Sequence, residues 1–546
     1  MLDLHEAASG RLPGIERFDI AVPGGNRVCS VRIALPASYT AAKARKRRYP
    51  LLVVFDAQMC FGSAVEMSRL MSETEEIHDC IIAGIDTGAA DFEHPAGDAS
   101  WLIAALLAEC GQRYRIDPAQ TTLYGSAAAG GYALRALLAD GDTWRNAIVC
   151  NPRGITSAGL EPGMLSAHQP RRIVLVSGSD TGDAEYLRLI DEVLQSQRDE
   201  SLQIQRRVLD EPHIEVSMVA LVSGLRMLFA TGAAYGRKVA ALHKPCMPAL
   251  LRMISPLTMR LLPKPGKSSS TNRHRMYASR LARDFEVFAC VPASASGDPM
   301  RRYPAVLVLD ANIEFATVAE TAARMAAAGM IEEAVIVGLG TPRAEGSHEF
   351  GYRRFEEFSP PTVGYDFNDD LGRIFRSLFA MRGDDARQRL GRAPQLLDFI
   401  GDELLPELAA SLPIDTGRLG LLGHSAGGTF VGFALATRPE LFRHYAAISP
   451  GVGVSGSWLM RQRFDTDAIR KAGASVVLAV GEAELSNAFN VIAGIPETSA
   501  FADRLRSQSG LPVGYRCFDG ETHSSIFPRA VVQALSSFFA TDRPVP

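Results

Sequence analysis

Arg418-Leu-Gly-Leu-Leu-Gly-His-Ser-Ala-Gly-Gly-Thr-Phe430 runs from a short apolar strand into a Gly-x-Ser-x-Gly turn and then into an amphipathic helical pattern, Thr429 to Thr437. A serine hydroxyl is exposed above a sheet when it sits on so tight a strand-to-helix turn, and glycines on either side relieve the crowding. Ser425 is the candidate nucleophile. The pentapeptide alone recurs by chance in long chains, so the strand before it and the helix after it carry the reading.

The same stretch has an earlier relative, Thr122-Leu-Tyr-Gly-Ser-Ala-Ala-Ala-Gly-Gly-Tyr132, at an offset of 298 residues. Other segments repeat in the same order. Arg48-Tyr-Pro-Leu-Leu-Val-Val-Phe-Asp-Ala57 mirrors Arg302-Tyr-Pro-Ala-Val-Leu-Val-Leu-Asp-Ala311 at an offset of 254, and Cys80 to Ile85 mirrors Ala334 to Leu339. Arg172 to Gly178 mirrors Ser475 to Gly481, and Asp210-Glu-Pro-His213 mirrors Gly520-Glu-Thr-His523 at an offset of 310. The chain therefore reads as a tandem duplication.

Each copy alternates β-rich apolar runs with helical patterns, which predicts an α/β fold: a mostly parallel sheet flanked by helices. The expected strands of the first copy lie at 51–56, 80–85, 121–124, 147–150 and 172–177, after a hairpin over Phe18 to Leu35 that turns at Pro23-Gly-Gly25. Those of the second lie at 285–292, 305–310, 334–339, 419–422, 445–448, 475–480 and 513–518. Between the repeated segments the offset rises from 254 to 298, so the second copy carries 44 extra residues, mainly within Thr341 to Gly391. Insertions above the strand ends of such sheets form the lid or wall of a substrate cleft. The first copy has only Thr87 to Ser100 there.

At 546 residues the chain is too long for one ordinary core. The expected division is a first domain over 12–232, a linker over 233–271 and a second domain over 272–546. From Val216 to Arg283 there is no Asp or Glu but 12 Lys or Arg, with prolines at 245, 248, 256, 263 and 265, which marks the connector. With 47% hydrophobic and 22% charged residues and a formal charge of −4, the chain has the balance of a soluble globular protein and no bias toward nucleic acid. No secretory pattern and no bilayer-length apolar run is present, so a cytoplasmic protein is expected. Eight scattered cysteines without a CxxC pair read as reduced and buried, with no metal site.

A serine nucleophile needs a base, and the base needs an acid to orient it. After Ser425 the histidines are His444 and His523. His444 stands at the entry of a strand, away from the strand tips, whereas His523 follows the strand Val513 to Phe518 and is the expected base. Two carboxylates compete for the third role in Gly481-Glu-Ala-Glu484; Glu484 is preferred to Glu482, Glu521 is a structural partner of the last loop, and a Ser425–His523 dyad without an acid is the alternative. The backbone N–H of Ala426 is the first expected oxyanion donor, and a second is expected near Ala311 and Asn312, where Asp310 could equally cap the turn.

The second copy resembles the enterochelin-esterase-like esterases of the α/β-hydrolase superfamily, a branch that includes ferric-siderophore trilactone esterases and lies near esterase D and S-formylglutathione hydrolase. The resemblance is carried by Tyr303-Pro-Ala-Val-Leu-Val-Leu-Asp310, Arg353-Arg354 with Phe358-Ser-Pro360, Asp402-Glu-Leu-Leu-Pro406, Gly423-His-Ser-Ala-Gly-Gly428, Gly481-Glu-Ala-Glu484 and Gly520-Glu-Thr-His523. It implies serine-dependent carboxylic ester hydrolysis on Ser425 and His523 with no cofactor, with a small-molecule ester, such as a ferric siderophore, as partner. Arg353, Arg354 and His424 are the expected substrate-binding side chains; the arginines suit an anionic ferric catecholate, or else stack on neighbours in their own segment. Ala311 departs from the glycine usual after the strand aspartate. A binding protein without turnover and an acyltransferase using the same acyl-enzyme are the alternative functions.

The first copy departs further. Ser425 falls opposite Ala127 and Glu484 opposite Thr181, flanked by Asp180 and Asp183, while His213 matches His523. A histidine without a nucleophile is a remnant, so the first copy reads as a pseudo-esterase domain.

Overall fold

Ile414–His424 begins with a polar, half-exposed stretch and ends in six consecutive buried residues, so it enters the sheet at one edge and finishes deep within it. Ile116–Ser126 repeats this profile position by position up to its last residue. In the computed structural model the described residues are 15–21, 28–41, 44–55, 57–74, 76–86, 100–139, 143–153, 171–178, 188, 190–192, 195, 202–209, 213–231, 273–298, 300–509 and 511–541. They fall into two compact units, one in Gly14–Gly232 and one in Ala233–Pro546. The basic connector and the Pro23-Gly-Gly25 turn lie outside the described residues, as does most of Thr87 to Ser100.

The first unit contains β1 (Ile15–Ala21), β2 (Val28–Ala34), β3 (Tyr49–Phe55), β4 (Ile81–Ile85), β5 (Ile116–Ser126), β6 (Asn146–Cys150), β7 (Arg171–Ser177) and β8 (Leu202–Val208). They form one sheet in the order β1-β2-β4-β3-β5-β6-β7-β8. The second contains β9 (Arg273–Ala278), β10 (Arg283–Cys290), β11 (Tyr303–Val308), β12 (Val335–Gly340), β13 (Ile414–His424), β14 (His444–Ile448), β15 (Ser475–Gly481) and β16 (Val513–Phe518). Its order, β9-β10-β12-β11-β13-β14-β15-β16, is the same, and in each sheet the strands are parallel from the third onward.

Close contacts repeat as well. A Cβ on Gly84 would lie 2.4 Å from Phe61, and one on Gly338 would lie 2.4 Å from Phe315. Tyr49 pairs with Ile116 and Tyr303 with Ile414, each followed by a break in register. That break explains why β13 starts at Ile414 and not at the expected Leu419. The strands missing from the sequence reading are β8 and β9, both at sheet edges, where alternating polar residues replace the apolar run of a central strand.

In the second unit both faces of the sheet are covered. Helices Ala426–Thr437 and Thr498–Ser509 bury one face with Leu307, Leu421 and Leu478. On the other, Gly338 and Gly420 leave room for Phe315 and Phe538 of helices Ala311–Ala327 and Phe527–Phe539. The insertion folds around a core of its own, in which Tyr352, Phe367, Phe375 and Phe379 pack with Val454, Phe489 and Ile492. Those last three follow β14 and β15, so the insertion covers the end of the sheet where the parallel strands finish.

His444 opens β14 at the opposite end. Its ring stacks on Phe538 at 5.0 Å, Nδ1 is 2.8 Å from Ser475 Oγ, and burial lowers its pKa to about 4. Because the folded value lies below the ordinary 6.5, the unfolded chain takes up this proton first as pH falls. Stability is expected to drop between pH 6.5 and about 4 and then level, and thermal melts of His444→Phe should lack that part of the acid sensitivity.

Candidate active site

The turn after β13 is built as the glycines require. Ser425 has φ 59° and ψ −119°, a conformation strained by about 1–3 kcal/mol for a residue with a side chain. A Cβ on Gly423 would lie 2.4 Å from Gly427 O, and one on Gly428 would lie 2.8 Å from Ile448 O. The Ser425 N–H donates to Ile448 O at 2.8 Å, which ties the strained turn to β14. Helix Ala426–Thr437 begins at the next residue, so the Ala426 N–H belongs to a helix N-terminus whose first donors lack partners inside the helix. Ala311 likewise opens helix Ala311–Ala327 after Asp310, which has φ 50°.

The carboxylates that competed in the sequence have separate tasks. Glu484, fully buried, has Oε2 3.1 Å from His523 Nδ1, while its Oε1 accepts from Ser449 Oγ at 2.7 Å and from the Gly481 N–H at 2.9 Å. Glu482 accepts from the Gly520 N–H at 2.9 Å. Glu521 accepts from Ser525 Oγ at 2.5 Å and from Arg529 at 3.3 Å, which braces the loop around His523. Ser425, Ser449, Glu484 and His523 follow β13, β14, β15 and β16, and Ala311 follows β11. Parallel strands finish on one edge, and that topology gathers residues more than 200 positions apart in the sequence. Among the described residues no hydrogen bond joins Ser425 Oγ to His523, whose Nδ1 is engaged by Glu484.

Three expected substrate contacts are elsewhere. Arg353 is 1% exposed; its guanidinium donates to Glu357, Glu345 and the carbonyl of Asp284 and lies over Phe285, so it fastens the insertion to β10. Arg354 is also buried and holds Asp310 in a bidentate pair, with Nε 2.8 Å from both oxygens. Asp310 therefore does not cap its turn, and Asn312 is no exposed residue but exchanges two hydrogen bonds with the backbone of Thr341. His424 faces Glu314 inside the protein, not the cleft. An arginine pair beside aromatics looks the same in sequence whether its charge meets a ligand or a buried carboxylate.

Burial pushes the Asp310 carboxyl up and Arg354 opposes it. Arg354→Met, which strands that carboxylate, is expected to cost about 3–5 kcal/mol in urea unfolding, and adding Asp310→Asn should recover part of it. Ser449, unforeseen in the sequence, has φ 45° and matches Asn151 at φ 40° in the first unit. Both precede a proline, the one local signal that could have marked them. Asn151 Oδ1 accepts from the Gly178 N–H at 3.3 Å, the bond that Glu484 makes to Gly481 in the second unit.

Residues 378–509 match the Putative esterase family. Ferri-bacillibactin esterase BesA of Bacillus subtilis (strain 168) is 30% identical over 281 residues, which span 50% of this chain and 90% of that protein. This chain belongs to that esterase family. The Siderophore enterobactin esterase of Emericella nidulans is 31% identical over 163 residues, 29% of this chain and 50% of that protein. Among solved structures, Siderophore hydrolase EstB from Aspergillus nidulans is 21% identical with a TM-score of 0.41, covering 52% of this chain and 99% of its own. The esterase is a carboxylic ester hydrolase with two mostly parallel α/β sheets, and among its described residues no helix is long and apolar enough to cross a membrane.

Proposed function

We propose that this esterase hydrolyses a siderophore ester through a triad of Ser425, His523 and Glu484, in a chain made by tandem duplication whose first copy has lost its site. The observation that carries the reading is the His523–Glu484 hydrogen bond at the strand edge where the strained Ser425 turn also ends. Ser425 Oγ attacks the ester carbonyl as its proton passes to His523 Nε2, and Glu484 holds Nδ1–H so that Nε2 is the basic nitrogen. The Ala426 N–H, with that of Ala311, receives the negative oxygen. His523 then protonates the departing alkoxide; it next takes a proton from water as the water oxygen attacks the acyl carbon, and returns that proton to Ser425 Oγ as the Oγ–acyl bond breaks and the acid leaves.

The siderophore substrate rests on the names of the relatives: BesA is a ferri-bacillibactin esterase. A panel of esters tests it. A ferric trilactone should exceed simple aryl and alkyl esters in kcat/KM, and equal or lower turnover of the trilactone removes the substrate assignment. Degeneration of the first copy is supported by Ala127, which keeps the elbow conformation at φ 52° without a hydroxyl. The side chain of His213 lies outside the described residues. A reducing, cytoplasmic setting suits the eight scattered cysteines, which include no CxxC pair.

A further inference from the structure

The residue before the nucleophile is a histidine that this chemistry does not use. His424 is 3% exposed, and its Nδ1 lies 3.1 Å from Oε1 of Glu314, itself 1% exposed on the first turn of helix Ala311–Ala327. The His424 ring lies against that of His523, with centroids 4.6 Å apart and planes inclined by 35°, and against Phe527 at 5.4 Å. One buried pair thus touches the nucleophile's turn, the base and the helix that carries the second oxyanion donor. A buried polar pair is a weak source of stability, because desolvation offsets most of its attraction. Burial, His523 and Arg354 all push His424 well below the ordinary histidine range, so it stays neutral beside the imidazolium that His523 must become.

The first unit provides an internal control. At the matched positions Ser126 replaces His424 and Cys60 replaces Glu314. Cys60 Sγ there donates to Phe55 O at 3.7 Å. The strand order and the glycine contacts are kept in that unit, yet the pair is gone where Ala127 stands at the turn. A pair required by the fold alone would be present in both.

We infer that His424, held by Glu314, is a positioning residue, the plate against which the His523 imidazole is set for proton transfer from Ser425. The inference rests on the triad reading above. It is tested with His424→Asn, which keeps an N–H for Glu314 and removes the ring, and His424→Phe, which keeps a ring and removes the bond. Each is made in the wild-type and His523→Ala backgrounds, with circular dichroism to establish folding. Either folded variant should lose about 10- to 100-fold in kcat on an aryl ester, the scale of a misplaced reacting group, with KM within about twofold. In the His523→Ala background it should cost nothing further, since a plate with no imidazole to hold has no effect. Wild-type kcat in a folded variant overturns the inference, as does an equal loss in both backgrounds. Absence of ester turnover by the wild type, or full activity of Ser425→Ala, overturns the triad reading and this inference with it.

Discussion

Ser425→Ala is expected to lower ester turnover by about 10⁴- to 10⁶-fold, the scale at which loss of a serine nucleophile leaves only binding and oxyanion stabilisation. The variant should fold as the wild type does. Alanine at this position must accept φ near 59°, and Ala127 already does so at 52° in the first unit, between Gly125 and Gly130, which match Gly423 and Gly428. The thermal midpoint should therefore stay in place while activity disappears. Initial rates on an aryl ester measure the loss, and a fluorophosphonate probe followed by intact mass reports whether the reactive hydroxyl is that of Ser425. Labelling of the variant, or turnover within tenfold of wild type, would place the nucleophile elsewhere. The same comparison bears on the first unit, which should take up no probe.

Glu484→Gln carries the second large effect, a loss of about 10³- to 10⁴-fold in kcat. The carboxamide oxygen can still accept from Ser449 and Gly481, so the loop should persist. Its NH₂ then faces His523 Nδ1, which must become the acceptor; the ring proton moves to Nε2, and the nitrogen that should receive the serine proton is already occupied. Glu482→Gln is the control. It alters only the bond to the Gly520 N–H and should change kcat by less than about tenfold, because a neutral acceptor still makes that bond. Similar, small effects of both substitutions would favour a Ser425–His523 dyad.

The two experiments test different kinds of information. Ser425 is marked locally, because a strained turn demands glycines at fixed neighbours whatever the rest of the chain does. His523 is marked by order and by its place after a strand. Glu484 is preferred to Glu482 in the sequence by its distance past Gly481, and the fold supplies the reason: both follow β15 within four residues, and the turn of the short helix Glu482–Ser486 brings Glu484 to His523. Ser449 and Glu314 have still weaker local signals, since a buried serine or glutamate acquires its role from the element it faces.

The sequence alone determined the α/β class, where the central strands lie along the chain, the repeated segments and the one elbow with a hydroxyl at its tip. Each of these depends on periodicity, spacing or local backbone strain, which a chain carries in neighbouring residues. The tertiary structure alone decided where the buried charges go. It gave Arg353 to Glu345, Arg354 to Asp310 and His424 to Glu314. A charge in a low-dielectric interior must meet its partner within a few ångströms. These partners stand between 8 and 110 residues apart, and only the packing of strands, helices and insertion brings them together.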